Sequence, residues 1–288
     1  MKVKLSIIIV TYNSSDLILK CIESIFRYND IKENEIEIIV VDNSSDDEGK
    51  KIKELLLRHF SDKVIFIKNK NLGYGQGNNV GIRKSKGHII AIMNPDIRLN
   101  EPLFAKVIET FYNDNVASLG FKQINNAGDF SFFRLPELFF PITYSIINKI
   151  DNKKEKFNQY KHSLSGAFVF FRKEDFESIG MYDESFFMYF EEPDVARRLN
   201  ASNKKVIYDH SKSYIHLMEQ KESFNVQLLD IGSQSLKQYF NKHNLGLRKY
   251  LNLRIIELKI HLMIFTLLNN TDRVNKSKAY IKSLRKIL

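Results

Sequence analysis

Apolar residues in this chain alternate between two rhythms. Leu5 to Val10 is a short run rich in β-branched residues; TYNSS follows, and then Leu17, Ile18, Cys21, Ile22, Ile25 and Phe26 recur at helical spacing. The unit repeats as Ile36 to Val41, the polar stretch DNSSDD, and a helical segment with Ile52, Leu55, Leu56 and Phe60 on one side. Val64 to Ile67 predicts a third strand and His88 to Met93 a fourth, the latter ending abruptly in Asn94-Pro95-Asp96. Pro95 lacks an amide hydrogen and restricts the residue before it, so the ladder stops there. A helix over 102–112, a strand over 116–120, an apolar strand over 168–171 and short strands over 205–208 and 213–215 continue the pattern. Strands alternating with helices predict an α/β fold with a mostly parallel central sheet covered on both faces. The less regular stretch 129–158, with FSFFRLPELFFPITY, reads as an excursion that covers a site or as an aromatic core layer.

In such open sheets ligands bind at the carboxyl ends of the strands, and that is where this pattern collects polar groups. Asp42 directly follows Ile38 to Val41, where a carboxylate can accept from a base imide or a ribose hydroxyl. Asp96 is presented after the fourth strand, as a turn aspartate or as a ligand for a hard divalent cation shared with a substrate's phosphates. Between these strands, Asn71 to Gly81 holds Gly73, Gly75 and Gly77 at alternate positions, which allow positive φ and close backbone approach to a ligand. Asn78 and Asn79 are placed to cap a short helix ending near Gly87. A dinucleotide fingerprint would put its glycines after the first strand; TYNSS has none, which disfavours an oxidoreductase.

A second cluster runs from Ser163 to Arg198. Ser165-Gly166-Ala167 opens the strand of 168–171, and Glu191-Glu192-Pro193-Asp194 follows the aromatic run FFMYF. Pro193 suits the first turn of a helix, so the glutamates stand at its amino end. The helix dipole favours their ionised forms while the aromatics oppose them by desolvation. A carboxylate poised as a base is the functional reading; helix capping is the structural one and accounts for Asp194. His216 ends the last short strand.

Composition narrows the class. Of 288 residues, 43% are hydrophobic and 27% charged, as in a globular protein. No stretch approaches the ~20 uncharged apolar residues of a spanning helix. The start, MKVKLSIIIVTYN, reads as a first strand rather than a signal peptide. Cys21 is the single cysteine and lies on the apolar side of a predicted helix, which suggests a buried thiol and a cytoplasmic setting. The net charge of +10 is concentrated late: residues 219–288 carry nine lysines and four arginines against three glutamates and two aspartates, a net +8. Interleaved leucines and isoleucines make this a basic amphipathic helical extension, for an anionic membrane surface or for a homo-oligomer interface. No nucleic-acid motif is present.

Taken in order, IIIVTYNS, VVDNSSDD, NLGYGQGNN, IMNPD, LSGAFVF, FFMYFEEPDVARRL and YIH resemble the family-two inverting nucleotide-sugar glycosyltransferases, most closely the bacterial rhamnosyltransferase branch. The resemblance implies a GT-A fold, Rossmann-like, with the glycosyltransferase domain over 1–218 and the extension over 219–288. It implies that Thr11, Tyr12, Asn13 and Asp42, with Asn71, Gly73, Gly75, Asn78, Asn94 and Asp96, hold the nucleotide sugar. Asp96 and His216 would bind Mg2+ or Mn2+ on the donor diphosphate, and Gly166 and Ala167 would approach donor or acceptor by backbone. Glu192 aligns with the catalytic base, with Glu191 as the alternative base or its support. The implied reaction moves L-rhamnose from dTDP-L-rhamnose to a glycan or polyprenyl-diphosphate-linked acceptor in surface polysaccharide assembly, on the inner face of the plasma membrane. UDP-galactofuranose, UDP-galactose or UDP-N-acetylglucosamine are alternative donors, and a non-catalytic sugar-nucleotide-binding subunit is an alternative role. Two departures stand out: the metal motif has one carboxylate rather than two, and Leu217 to Gln220 lacks the small residues often found after the histidine.

Overall fold

The computed structural model describes residues 3–125, 130–141, 143–217 and 224–288. The chain opens with β1 (Leu5–Thr11), α1 (Ser15–Arg27), β2 (Ile36–Asp42), α2 (Asp46–Phe60), β3 (Val64–Lys68), α3 (Tyr74–Lys84) and β4 (Ile89–Met93). It continues through β5 (Ile97–Leu99), α4 (Phe104–Phe111) and β6 (Val116–Ile124) into the excursion, which forms β7 (Phe132–Arg134), α5 (Tyr144–Lys153) and β8 (His162–Leu164). Then come β9 (Phe168–Arg172), α6 (Lys173–Ser178), α7 (Glu191–Ala201), β10 (Lys205–His216), α8 (Val226–Lys242), α9 (Leu247–Leu267) and α10 (Thr271–Arg285).

Eight strands form one sheet in the order β3-β2-β1-β4-β9-β6-β10-β5. Period-two alternation sorts β1 between two layers. Ile7 and Ile9 join Ile18, Cys21 and Ile22 of α1, and Ile52 and Leu56 of α2, on one face. Ile8 joins Ile82 of α3 and Val195 and Leu199 of α7 on the other. With both faces covered, the strands read as continuous apolar runs.

The expected mostly parallel sheet is what forms: β1 pairs in parallel with β2 and β4, β2 with β3, and β6 with β10. The antiparallel exceptions are β9, which runs between β4 and β6, and β5 against β10. Between β6 and β9 the chain passes through β7, α5 and β8. The chain arrives from β8, which pairs antiparallel with β7 at the carboxyl edge of the sheet, and runs back down it. That reversal sets Gly166 and Ala167, just before β9, beside the end of β4: Asn94 N donates to the Ala167 carbonyl at 2.8 Å. The two short strands expected over 205–215 are one strand, with a register irregularity between Asp209 and Ser213.

Helices α8 to α10 share a core of Leu236, Tyr239, Phe240, Leu251, Ile255, Leu258, Ile281 and Leu284, into which Phe186 inserts from the segment before α7. Helix α9 is not cleanly two-sided. Its first half buries Leu251, Ile255 and Leu258, whereas Met263, Ile264 and Leu267 near its end are exposed. Among the described residues no helix is long and apolar enough to cross a membrane.

Candidate active site

Three neighbouring strand ends form the first wall. Thr11, Asp42 and Lys68 are lateral partners on β1, β2 and β3. Asp42 is fully buried. Its Oδ1 accepts from Thr11 Oγ1 at 2.9 Å and Ser44 Oγ at 2.6 Å, and its Oδ2 from Lys68 Nζ at 3.1 Å. In this structure its carboxylate orders the loop rather than facing the solvent side of the edge, and Thr11 is buried with it. Tyr12, 59% exposed, and Asn13 at φ 52° are what this edge offers to solvent. Lys68 was missed by sequence reasoning, although its position ending an apolar strand beside Asp42 was the available signal.

The glycine-rich stretch also serves a different purpose from the one expected. Of its three alternating glycines only Gly73 has positive φ (116°). A Cβ at Gly73 would collide with the Phe187 backbone, one at Gly75 with Tyr182, and one at Gly77 with Val10 and Asn43. The glycines let α3 lie against the sheet and against the chain leading into α7. Asn78 and Asn79 do not cap α3; they sit inside it, buried, and Gly73 precedes its first turn. Asn78 Nδ2 bonds back to the Tyr74 carbonyl at 3.0 Å, while Asn79 Nδ2 reaches across to the Tyr182 carbonyl at 2.8 Å. Asn71 is exposed, its Oδ1 3.4 Å from the Gly73 amide.

The loop after β4 is pinned from three sides. Arg98 donates to the carbonyls of Pro95 (2.9 Å), Ile97 (2.7 Å) and Leu17 (3.0 Å). The buried thiol of Cys21, its pKa pushed up to about 12 by desolvation, lies 3.6 Å from the Asn94 carbonyl. Tyr74 Oη reaches Asn94 Oδ1 at 3.1 Å and the Gly166 carbonyl at 3.0 Å. Asp96 therefore stands on held backbone. Antiparallel pairing of His216 with Ile97 brings the histidine alongside, with Nε2 3.0 Å from Asp96 Oδ2. Asp96 Oδ1 and His216 Nδ1 are buried and have no partner among the described residues. An orphaned carboxylate oxygen next to an imidazole fits a divalent cation, which prefers oxygen ligands and shares them with phosphates. The described residues hold no set of three or more such ligands, so two protein groups would have to suffice with a donor diphosphate. Of the departure noted after the histidine, Met218 to Gln220 lie outside the described residues.

The opposite wall is the first turn of α7. Tyr189 and Phe190 precede it with φ of 72° and 71°, two successive left-handed non-glycine residues. Such backbone costs of order 1–3 kcal/mol per residue and marks functional sites. Glu191 follows, 3% exposed, with Oε1 unpartnered; Glu192 is half-buried. Glu191 is held well above the usual carboxyl range by desolvation and then by the Glu192 charge, and Glu192 is raised by desolvation. A Cβ on Gly166 would strike the Glu192 carboxylate, so only glycine admits that side chain here. Asp194 does not cap the helix as expected. Fully buried, it meets Arg198 at 2.6 Å, Lys242 at 2.7 Å and His243 at 2.8 Å, which ties α7 to α8.

The fold is GT-A-like, with polar groups at the ends of the first strands, a carboxylate loop after β4 and a carboxylate pair facing it. Residues 6–180 match the model of Glycosyl transferase family 2, and the chain belongs to that family. It is 28% identical over 207 residues to the low-salt glycan biosynthesis hexosyltransferase Agl10 of Haloferax volcanii, covering 69% of this chain and 62% of that protein. It is 26% identical over 227 residues to the rhamnosyltransferase WbbL of Escherichia coli K12, covering 73% and 82%. In structure it resembles the mannosyltransferase PcManGT of Pyrobaculum calidifontis in complex with GDP-Man and Mn2+, with a TM-score of 0.62 at 15% identity over 99% of this chain and 76% of that one.

Proposed function

We propose that this protein is an inverting glycosyltransferase that moves L-rhamnose from dTDP-L-rhamnose to a glycan or lipid-linked acceptor of a surface polysaccharide. The observation that carries the reading is one site with two unlike carboxylate centres. Asp96 offers an unpartnered oxygen beside His216, and Glu192 lies against Gly166, with Tyr74 bridging Gly166 to the Asp96 loop. The rhamnosyl donor is favoured by the similarity to WbbL, which extends over most of both chains.

In this mechanism Tyr12 and Asn13 hold the nucleoside end, and the Asp42 cluster keeps their loop in shape. Asp96 and His216 would hold Mg2+ or Mn2+, which when bound offsets the charge of the diphosphate leaving group. The acceptor hydroxyl attacks the anomeric carbon from the face opposite the diphosphate. The carbon–oxygen bond to phosphate breaks, and the nucleoside diphosphate departs with the electron pair. Glu192 takes the hydroxyl proton, for which it must be ionised and within hydrogen-bond reach. Glu191, more deeply buried, keeps its own proton.

Transfer and hydrolysis assays with dTDP-L-rhamnose, UDP-galactose, UDP-galactofuranose, UDP-N-acetylglucosamine and GDP-mannose, each with Mn2+, test this. Consumption of dTDP-L-rhamnose above the others is expected; preference for another sugar overturns the donor, and consumption of none overturns the activity. The basic, leucine-bearing helices α9 and α10 support peripheral attachment to an anionic membrane. Flotation with anionic but not neutral liposomes is the expected outcome.

A further inference from the structure

Helix α8 lies by sequence in the basic extension, yet one stripe of it meets the strained turn that carries the glutamate pair. Gly232, Ser235, Tyr239 and Lys242 recur at intervals of three and four residues, which puts them on one face of the helix. Each meets the segment 183–194 at a different point. A Cβ added to Gly232 would lie 3.5 Å from the Tyr189 ring. Ser235 Oγ donates to the Met188 carbonyl at 2.8 Å, and the Tyr239 ring lies 5.7 Å from that of Phe190. Lys242 Nζ reaches Asp183 Oδ2 and Asp194 Oδ1, both at 2.7 Å. The two polar contacts at Met188 and Asp194 therefore bracket Tyr189, Phe190, Glu191 and Glu192.

The bracketed backbone needs holding. Two bulky residues in succession at positive φ persist only where their surroundings over-determine them. From one side α3 contributes, as Tyr74 N donates to the Phe187 carbonyl at 2.9 Å. From the other side the support is α8. A serine hydroxyl in mid-helix often bonds back to its own helix, but that of Ser235, 4% exposed, donates across to the turn. Tyr239 is itself fixed: it is fully buried and its Oη donates to Glu137 Oε2 at 2.8 Å. Phe186, just ahead of the turn, is buried in the core that α8 shares with α9 and α10.

We propose that α8 is a positioning element of the active site, in which Ser235 and Lys242 hold the turn of 188–194 so that the Glu192 carboxylate stays against Gly166, facing the acceptor hydroxyl. The inference rests on the glycosyltransferase reading with Glu192 as base, and it makes Val226–Lys242 a working part of the catalytic domain. Steady-state kinetics of full-length Ser235→Ala, Lys242→Met, Lys242→Arg and Ile281→Val test it, together with amide hydrogen exchange. Alanine is a better helix former than serine, so Ser235→Ala removes the bond to Met188 without weakening α8. Ile281→Val trims a methyl group from the core of α8 to α10 and leaves the bonds to the turn in place.

Ser235→Ala is expected to lower kcat by about tenfold with donor KM kept within about twofold, because the donor groups lie on β1 and on the loop after β4, away from the turn. Lys242→Met is expected to lower kcat by about fivefold, and Lys242→Arg, which keeps a cation between Asp183 and Asp194, to restore it to within about twofold. Ile281→Val is expected to stay within about twofold of the parent. Amide exchange over 188–192 should quicken in Ser235→Ala and not in Ile281→Val. Unchanged kcat in Ser235→Ala, an equal fall in Ile281→Val, or a raised donor KM with kcat kept would each overturn the inference and leave the enzyme reading intact. No turnover by the unaltered protein, with exchange over 188–192 still quickened in Ser235→Ala, would overturn the enzyme reading and keep the hold of α8 on the turn.

Discussion

Two buried acidic regions of this protein are built in opposite ways. At the ends of β1 to β3, Asp42 is surrounded by donors from Thr11, Ser44 and Lys68. At the start of α7, Glu191 is nearly as buried, yet its Oε1 has no partner and its neighbour is another carboxylate. Burial is costly for a charge unless partners compensate it. Asp42 is compensated and so is architectural: it shapes the loop that carries Tyr12 and Asn13. The glutamate pair is not compensated, and there the cost appears as raised proton affinity, which suits proton transfer. Asp194, three residues beyond Glu191 on the same helix, follows the Asp42 pattern with Arg198, Lys242 and His243. The contrast is therefore local chemistry and not a property of the helix.

The contrast can be broken most sharply at Glu192. Glu192→Gln is expected to lower kcat by about 10²–10⁴ or more, as for loss of a general base, while nucleotide-sugar affinity is kept. Steady-state kinetics with calorimetry of donor binding measures both, and surviving turnover would move the base elsewhere. Next, Asp42→Ala strands buried donors and a lysine, and is expected to destabilise the fold by about 3 kcal/mol. Denaturant unfolding reads it, and a change within ~0.5 kcal/mol would show that the cluster is not architectural.

The smallest effect is expected at Glu191. A carboxyl whose folded pKa is raised binds its proton more tightly folded than unfolded, so its penalty on stability grows as pH rises above its ordinary value of 4.5. Glu191→Gln removes that titration. The variant should be more stable than the parent at pH 7, by about 1 kcal/mol, and the gain should vanish as pH falls through 4.5. Thermal unfolding between pH 4 and pH 8 gives the answer, and a gain that persists at the acid end would point to packing instead.

Much of this was legible from local pattern. The runs at Leu5, Ile36, Val64 and Ile89 became β1 to β4 within a residue or two; β1, β2 and β4 are continuously apolar because both their faces are largely buried, whereas β3 at the sheet edge leaves Ile65 exposed. Cys21 was read as buried and is. The family followed from the order of motifs, each short enough to sit on one element. Less legible was anything that depended on which elements touch. The glycines of NLGYGQGNN looked like ligand contacts, but their missing side chains make room for Phe187 and Tyr182, more than a hundred residues away. Tyr74 was quoted within that motif without a role, because its partners Asn94 and Gly166 are far along the chain.

The sequence alone determined the α/β architecture, the position of Asp96 at a strand end and the proximity of Glu191 to Glu192, since periodicity and chain adjacency are local properties. Tertiary structure decided which carboxylates have partners. Only the reversal of β9 brings Gly166 to Glu192 and Asn94, and only the pairing of β10 with β5 sets His216 beside Asp96. Proton affinity and metal fit depend on what surrounds a group within a few ångströms, and those neighbours come from distant segments that meet only when the sheet and the C-terminal helices close around them.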